Sequence, residues 1–278
     1  MNHQRSFRDA RDVGDGLAAS LSRVEGLQSR GELRFDMPGG EGWQRCSDLL
    51  EDPARFDKWR ESLGGWLRDR HGDSPTRTTA GYVMSWYLHV PAYVGALLLH
   101  HERRVPSLRS GELAFRLGDD RPHPVAMAVL GEEFYCLPTD PGSALPEATV
   151  VPDEHALAAV LRARYIAHAA EFVRAYAPGS RLGKRMLWAG ATDALDNCLW
   201  WAGKQGGTAE AEGAGVADAA LVLGTRYEPL TSASTLRVVT GATGHREWTR
   251  RRESCCFSYL LQSEDVCDDC PRTCPKPA

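Results

Sequence analysis

The stretch GYVMSWYLHVPAYVGALLL, Gly81 to Leu99, holds no charged residue and stops just before His100-His101-Glu102-Arg103-Arg104. Its reading decides between a membrane span and the interior of a globular fold, because nineteen apolar-leaning residues satisfy the length of either. Two features point inward. The run is rich in Tyr, Trp and Ser rather than Leu or Ile, and it is interrupted by His89 and Pro91. Proline lacks a backbone N–H, so the expectation is a buried pair of helices, about Thr76–Leu88 and Pro91–His101, broken at the proline.

Outward from this stretch the pattern is mainly helical. The first thirty residues read as helix, ending near Gly31, and a Gly-rich loop follows from Pro38 to Gly42. Pro53 opens a helix to Arg70 that places Phe56, Trp59 and Leu63 on one face. The period then changes. Glu112–Leu117, Pro124–Leu130 and Glu133–Leu137 are short apolar runs split by Gly118-Asp119-Asp120 and Gly131, which reads as an antiparallel meander. After Pro152-Asp153 helical spacing returns, with Leu157, Leu161, Tyr165, His168, Phe172 and Tyr176 in a stripe that stops at Pro178-Gly179. A further helix, about Leu182–Gly203, aligns Leu187, Ala191, Leu195, Cys198 and Ala202, and Thr235–Thr240 reads as a strand. The fold class is α+β: a mainly helical body with a small antiparallel sheet and a short C-terminal cysteine-rich segment. The composition shift at Gly241-Ala242-Thr243-Gly244 divides it into a body, 1–244, and a segment, 245–278.

Composition narrows the function classes. Charged residues make up 25% and apolar ones 42% of 278, and the net charge is −4, without the basic excess of a general nucleic-acid binder. The start, MNHQRSFRDARDVGDG, interleaves acids with bases and leads into no apolar run, so a cytoplasmic location is expected. Neither a G-x-G-x-x-G nor a P-loop pattern occurs, so electrons are expected from a partner protein rather than from bound nicotinamide.

Cysteine carries most of the chemistry. Of eight, Cys46, Cys136 and Cys198 are scattered, whereas Cys255, Cys256, Cys267, Cys270 and Cys274 fall in the last twenty-four residues. A disulfide scaffold spreads its cysteines through a small chain; a terminal cluster after a cysteine-poor body reads first as metal binding. Adjacent cysteines suit a tetrahedral zinc site poorly, because neighbouring side chains diverge unless the backbone bends. A [2Fe–2S] cluster spreads four thiolates over two irons and relaxes that demand. Zinc, iron–sulfur and disulfide all remain open on spacing alone.

The pattern C-C-x₁₀-C-x₂-C, with Tyr259 after the adjacent pair and Pro271 after Cys270, resembles the signature of the FhuF-type ferric siderophore reductases. In the body, Arg185-Met186-Leu187-Trp188-Ala189-Gly190 is similar to that family's Trp-containing segment, as is the helix–meander–helix order. The resemblance implies a [2Fe–2S] cluster on Cys255, Cys256, Cys267 and Cys270. It also implies one-electron reduction of a ferric siderophore, hydroxamate types first, with electrons from a ferredoxin- or flavoprotein-type donor. Cys274 lies outside the pattern and reads as a spare thiol. Arg250, Arg251 and Arg252 are candidate docking residues for the chelate, or compensation for cluster charge; Glu264, Asp265, Asp268 and Asp269 could receive the donor. The opposing readings are an iron–sulfur redox or iron sensor and a zinc-stabilised binding module. His168, His100-His101, Trp188, Trp200-Trp201 and Cys198 are weaker candidates, each better explained by core packing or a helix end.

Overall fold

The computed structural model describes residues 15–37, 39, 42–240, 244, 246–262 and 264–274. Residues 1–14 of the expected N-terminal helix, Pro38, Gly40 and Glu41 of the Gly-rich loop, the 241–243 boundary and His245 lie outside the described residues. The α+β class is as expected, with helices dominating.

The long apolar stretch is one helix, α4, Thr76–Glu102, that runs straight through Pro91. The α1, α2 and α3 helices before it are Leu17–Glu25, Cys46–Glu51 and Ala54–His71. The expected break at Pro91 is therefore corrected. Proline forfeits one rung of the helix ladder, but Val90, Pro91 and Ala92 are all buried, and leaving the helix there would strand further backbone groups away from water. By length and composition α4 could cross a membrane, yet 78% of its apolar window is buried within the protein. An all-round apolar helix is accounted for by that burial.

Around α4 pack α5, Glu154–Ser180, and α6, Lys184–Lys204, followed by α7, Ala209–Leu223. The Asp153 side chain caps α5 by accepting from the Ala156 amide at 2.8 Å. The helix includes Pro178 and ends at Ser180, two residues beyond the expected stop. The whole expected stripe of α5 is buried, as are the five aligned residues of α6.

The meander is only partly formed. β4, Leu113–Leu117, and β5, Pro124–Val129, pair antiparallel, but β6, Phe134–Cys136, leaves them. It joins a second sheet between β3, Arg104–Pro106, and β7, Ala148–Val150. The first sheet is instead completed by β1, Glu32–Phe35, parallel to β5, and β2, Trp43–Arg45, antiparallel to β4. In that first sheet only β4 and β5 are neighbours both in the chain and in space; the outer partners come from distant segments. The expected strand near residue 235 is β8, Arg237–Thr240, in a hairpin with β9, Arg246–Thr249, which delivers the chain to the cysteine segment.

Candidate iron–sulfur site

Directly after Cys255-Cys256 the chain turns at Phe257, whose φ of 61° is left-handed. This is the bend that adjacent cysteines need to direct their side chains to a common region. The turn is held by α4. Thr78 Oγ1 donates to the Phe257 carbonyl at 2.9 Å, and Gly81, one turn along, lets the Cys256–Phe257 backbone approach. A Cβ at Gly81 would stand 3.1 Å from both the Cys256 oxygen and the Phe257 ring. The second arm folds back by backbone bonds: Arg252 N to Asp269 O at 2.9 Å, Cys270 N to Cys267 O at 3.0 Å and Cys274 N to Cys270 O at 2.9 Å.

The sulfurs do not associate as sequence neighbours. Cys256 Sγ lies 3.8 Å from Cys267 Sγ, so the contact runs between the two arms. Cys255 is buried within range of Cys256 and Cys270, whose negative charge adds to burial in raising its thiol, while the Phe257 amide opposes. Burial works against ionising Cys256 too, but the Ser258 hydroxyl and amide, Arg252 and Cys267 together bring its thiol below the ordinary value. Cys267 moves the other way, through burial and then the charge on Cys256. Cys256 is the more acidic thiol of this pair, and thiolate is the state in which sulfur ligates metal.

All eight cysteines are free. Cys274 is attached to the segment by other means: its Sγ donates to Asp268 O at 3.0 Å and its carbonyl accepts from Arg251 Nε at 2.9 Å. Cys198 is buried on α6 beside His89 Nδ1 at 3.2 Å, far along the chain from the cluster segment.

Two observations test whether these residues fit a [2Fe–2S] group. Thiolates about 2.3 Å from one tetrahedral metal stand about 3.8 Å apart, the separation of Cys256 and Cys267. Arg252 Nε is buried and has no hydrogen-bond partner among the described residues, while Cys256 and Cys267 lie within reach of its charge. It offers a positive charge to an anionic group at those sulfurs. No three His, Cys, Asp or Glu side chains among the described residues converge as a single-ion site. A two-iron group asks for two pairs instead. The residues fit.

The three arginines are engaged inside the protein. Arg250 bonds Asp269 at 2.9 Å and the Asp193 carbonyl at 3.3 Å. Arg251 is 6% exposed and ties Glu253, Pro271 O and Cys274 O. Arg252 faces Asp193, with Nε 3.9 Å from Oδ2. Of the three, Arg250 alone reaches a cavity of about 670 Å³, which is also lined by Asn197, Trp200, Thr249, Cys267 and Asp268. Glu264, Asp265 and Asp269 contribute to its rim.

The remaining candidates separate clearly. His168 is saturated, with Nδ1 2.7 Å from Leu108 O and Nε2 3.1 Å from the Tyr87 hydroxyl. His100 Nδ1 is 2.6 Å from Asp218 Oδ2. Trp188 lines a different cleft with Arg185 and Arg226, and Trp201 lies beneath Arg30. The residue that sequence reasoning missed is Asp193, 6% exposed on α6. It accepts from Glu253 N at 2.8 Å, Ser254 N at 2.7 Å and Ser254 Oγ at 2.5 Å, just ahead of Cys255. A carboxylate inside α6, between the aligned core residues Ala191 and Leu195, was the available signal.

No curated protein matches the chain. Residues 252–272 match the family model described as the FhuF 2Fe-2S C-terminal domain, a match that spans the cysteine segment and not the body. Over residues 252–272 the cysteine segment of this chain is thus similar to the 2Fe-2S-binding domain of the FhuF type.

Proposed function

We propose that the protein is a ferric siderophore reductase of the cytoplasm, acting on hydroxamate-type chelates. The observation that carries this reading is the cavity beside Cys267: a space sized for a small-molecule ligand opens against one sulfur of the four-cysteine set. When bound, a [2Fe–2S] cluster supplies a relay for single electrons, and chelated Fe(III) needs one. Cys255, Cys256, Cys267 and Cys270 would hold it. One electron from a reduced ferredoxin- or flavoprotein-type donor converts Fe(III) to Fe(II), the donor is oxidised by the same electron, and the hard oxygen ligands lose their grip on the softer product ion.

The protein's own residues favour this substrate class. Trp200 and Asn197 give the cavity an apolar wall and a neutral polar group. Asp265 and Asp268 leave it negative, since Arg250 is already matched by Asp269. A ferric trihydroxamate core is uncharged, whereas a triscatecholate is strongly anionic and would be repelled. Arg250 is the docking arginine that faces the chelate; Arg251 and Arg252 serve the cluster segment.

The test begins with protein purified without air, expected to be red-brown with about two irons and two sulfides per chain. Serine at Cys255, Cys256, Cys267 or Cys270 should lower occupancy or change the spectrum; Cys274→Ser and Cys198→Ser should not. Chemically reduced protein mixed with a ferric trihydroxamate and a ferrous trap should be reoxidised with saturating dependence on chelate. Colourless protein with stoichiometric zinc overturns the cofactor, and reoxidation no faster than in buffer overturns the reductase.

A further inference from the structure

Asp193 stands where α6 meets the chain entering the cysteine pair. Its two oxygens take three hydrogen bonds from Glu253 and Ser254, and its carbonyl takes a fourth from Arg250. Successive amides that point to one side form a concave anion seat, and a carboxylate fills it with two acceptors where an amide side chain brings one. A buried carboxylate is costly unless its lone pairs are used, and here they are. Thr78 and Gly81 fix the backbone just after the cysteine pair, so Asp193 fixes it just before.

The same carboxylate faces Arg252. The two arginines beside it are occupied elsewhere: Arg250 with Asp269 and Arg251 with Glu253. Of these three, Arg252 alone has a buried donor nitrogen, Nε, without a hydrogen-bond partner among the described residues; it lies 3.9 Å from Asp193 Oδ2, and Cys256 and Cys267 are within reach of the guanidinium's charge. Reduction adds negative charge to a thiolate-bound cluster, so a fixed buried cation beside its sulfurs favours the reduced form.

We propose that Asp193 is a positioning residue that pins the Cys255-Cys256 turn to α6 and holds Arg252 against the sulfur side, and that Arg252 raises the reduction potential of the bound cluster. This rests on the cluster and is independent of the siderophore reading.

The experiment uses reconstituted full-length chain with no siderophore present. Midpoint potential is read by anaerobic redox titration, and cluster retention by the rate of iron transfer to a chelator. Arg252→Gln should shift the potential to more negative values, and Arg252→Lys, which keeps the charge, should return most of the shift. Asp193→Asn should weaken iron retention by about 10–100-fold, the usual effect of losing a group that orients metal ligands. Ser254→Ala removes one of the three bonds and should release iron faster than wild type but slower than Asp193→Asn. An unshifted potential in Arg252→Gln overturns the role of Arg252. If that variant holds no cluster, Arg252→Lys decides: it must carry a cluster near the wild-type potential. Wild-type iron retention in Asp193→Asn overturns the positioning role. If that variant does not fold, unchanged retention in Ser254→Ala does the same.

Discussion

Two residues show how differently the surroundings of a buried polar side chain can match it. Asp193 is a carboxylate whose burial is matched by three hydrogen bonds, whereas His89 is an imidazole whose burial is not matched by an anion among the described residues. Its ring stacks on Tyr93 at 4.9 Å and meets the Cys198 sulfur, and burial, with Arg30 nearby, pushes its pKa down to about 4 from 6.5. The unfolded chain therefore binds a proton at a pH where the folded chain does not. This stabilising contribution is complete above about pH 6.5 and is lost as the pH falls toward 4. Between pH 7 and pH 5 the loss should be about 2 kcal/mol, since a one-proton difference between the two states is worth about 1.4 kcal/mol for each pH unit it spans. Urea unfolding at the two pH values measures it, and His89→Gln should remove that part of the difference. Cys198, pushed up to about 12 by burial, stays a thiol throughout. Cys198 was legible in the sequence as a buried small residue from its place in the α6 stripe; its histidine partner was not, since His89 lies on a different helix.

At the scale of elements, the large-residue helices were legible and the small-residue one was not. The apolar side chains of α3, α5 and α6 recur at helical spacing, and each of these helices formed within a few residues of its expected bounds. The sequence of α7, AEAEGAGVADAALVL, has little periodic contrast because its contact with α6 is made by backbone. A Cβ at Gly215 would lie 2.7 Å from Trp200 O and 2.9 Å from Gly203 N. Gly215→Val should thus force the two helices apart and cost about 1–3 kcal/mol, read as a lowered thermal midpoint. Gly213, also in α7, has no neighbour within 4 Å of such a Cβ, and Gly213→Ala should leave the midpoint equal or raised through better helix propensity. Burial separates Pro91 from the break expected of it: a helix surrounded by other elements retains its hydrogen-bonded form across a missing rung, because the alternative buries unpaired backbone. Pro178 is exposed and lies two residues from the end of its helix.

Over the whole molecule, the question is whether the cysteine segment is an appendage. Composition divides the chain at 244, yet the segment is joined to α4 through Thr78 and Gly81 and to α6 through Asp193. Metal binding to such a segment is coupled to the folding of what it touches. Removing the cluster should lower the thermal midpoint of the entire chain, with body and segment unfolding in one calorimetric transition. Each hundredfold by which metal exceeds its dissociation constant is worth about 2.7 kcal/mol. A body midpoint unchanged by cluster removal would mark the segment as an independent unit. The sequence by itself determined the helical body, the α+β class and the four-cysteine pattern, because periodicity and ligand spacing are local properties that a linear reading retains. Tertiary structure alone decided which sulfurs face each other, which of three adjacent arginines reaches the cavity, and that an aspartate about sixty residues upstream holds the turn. Those facts depend on where helices cross, and a crossing is set by packing between segments that share no local signal.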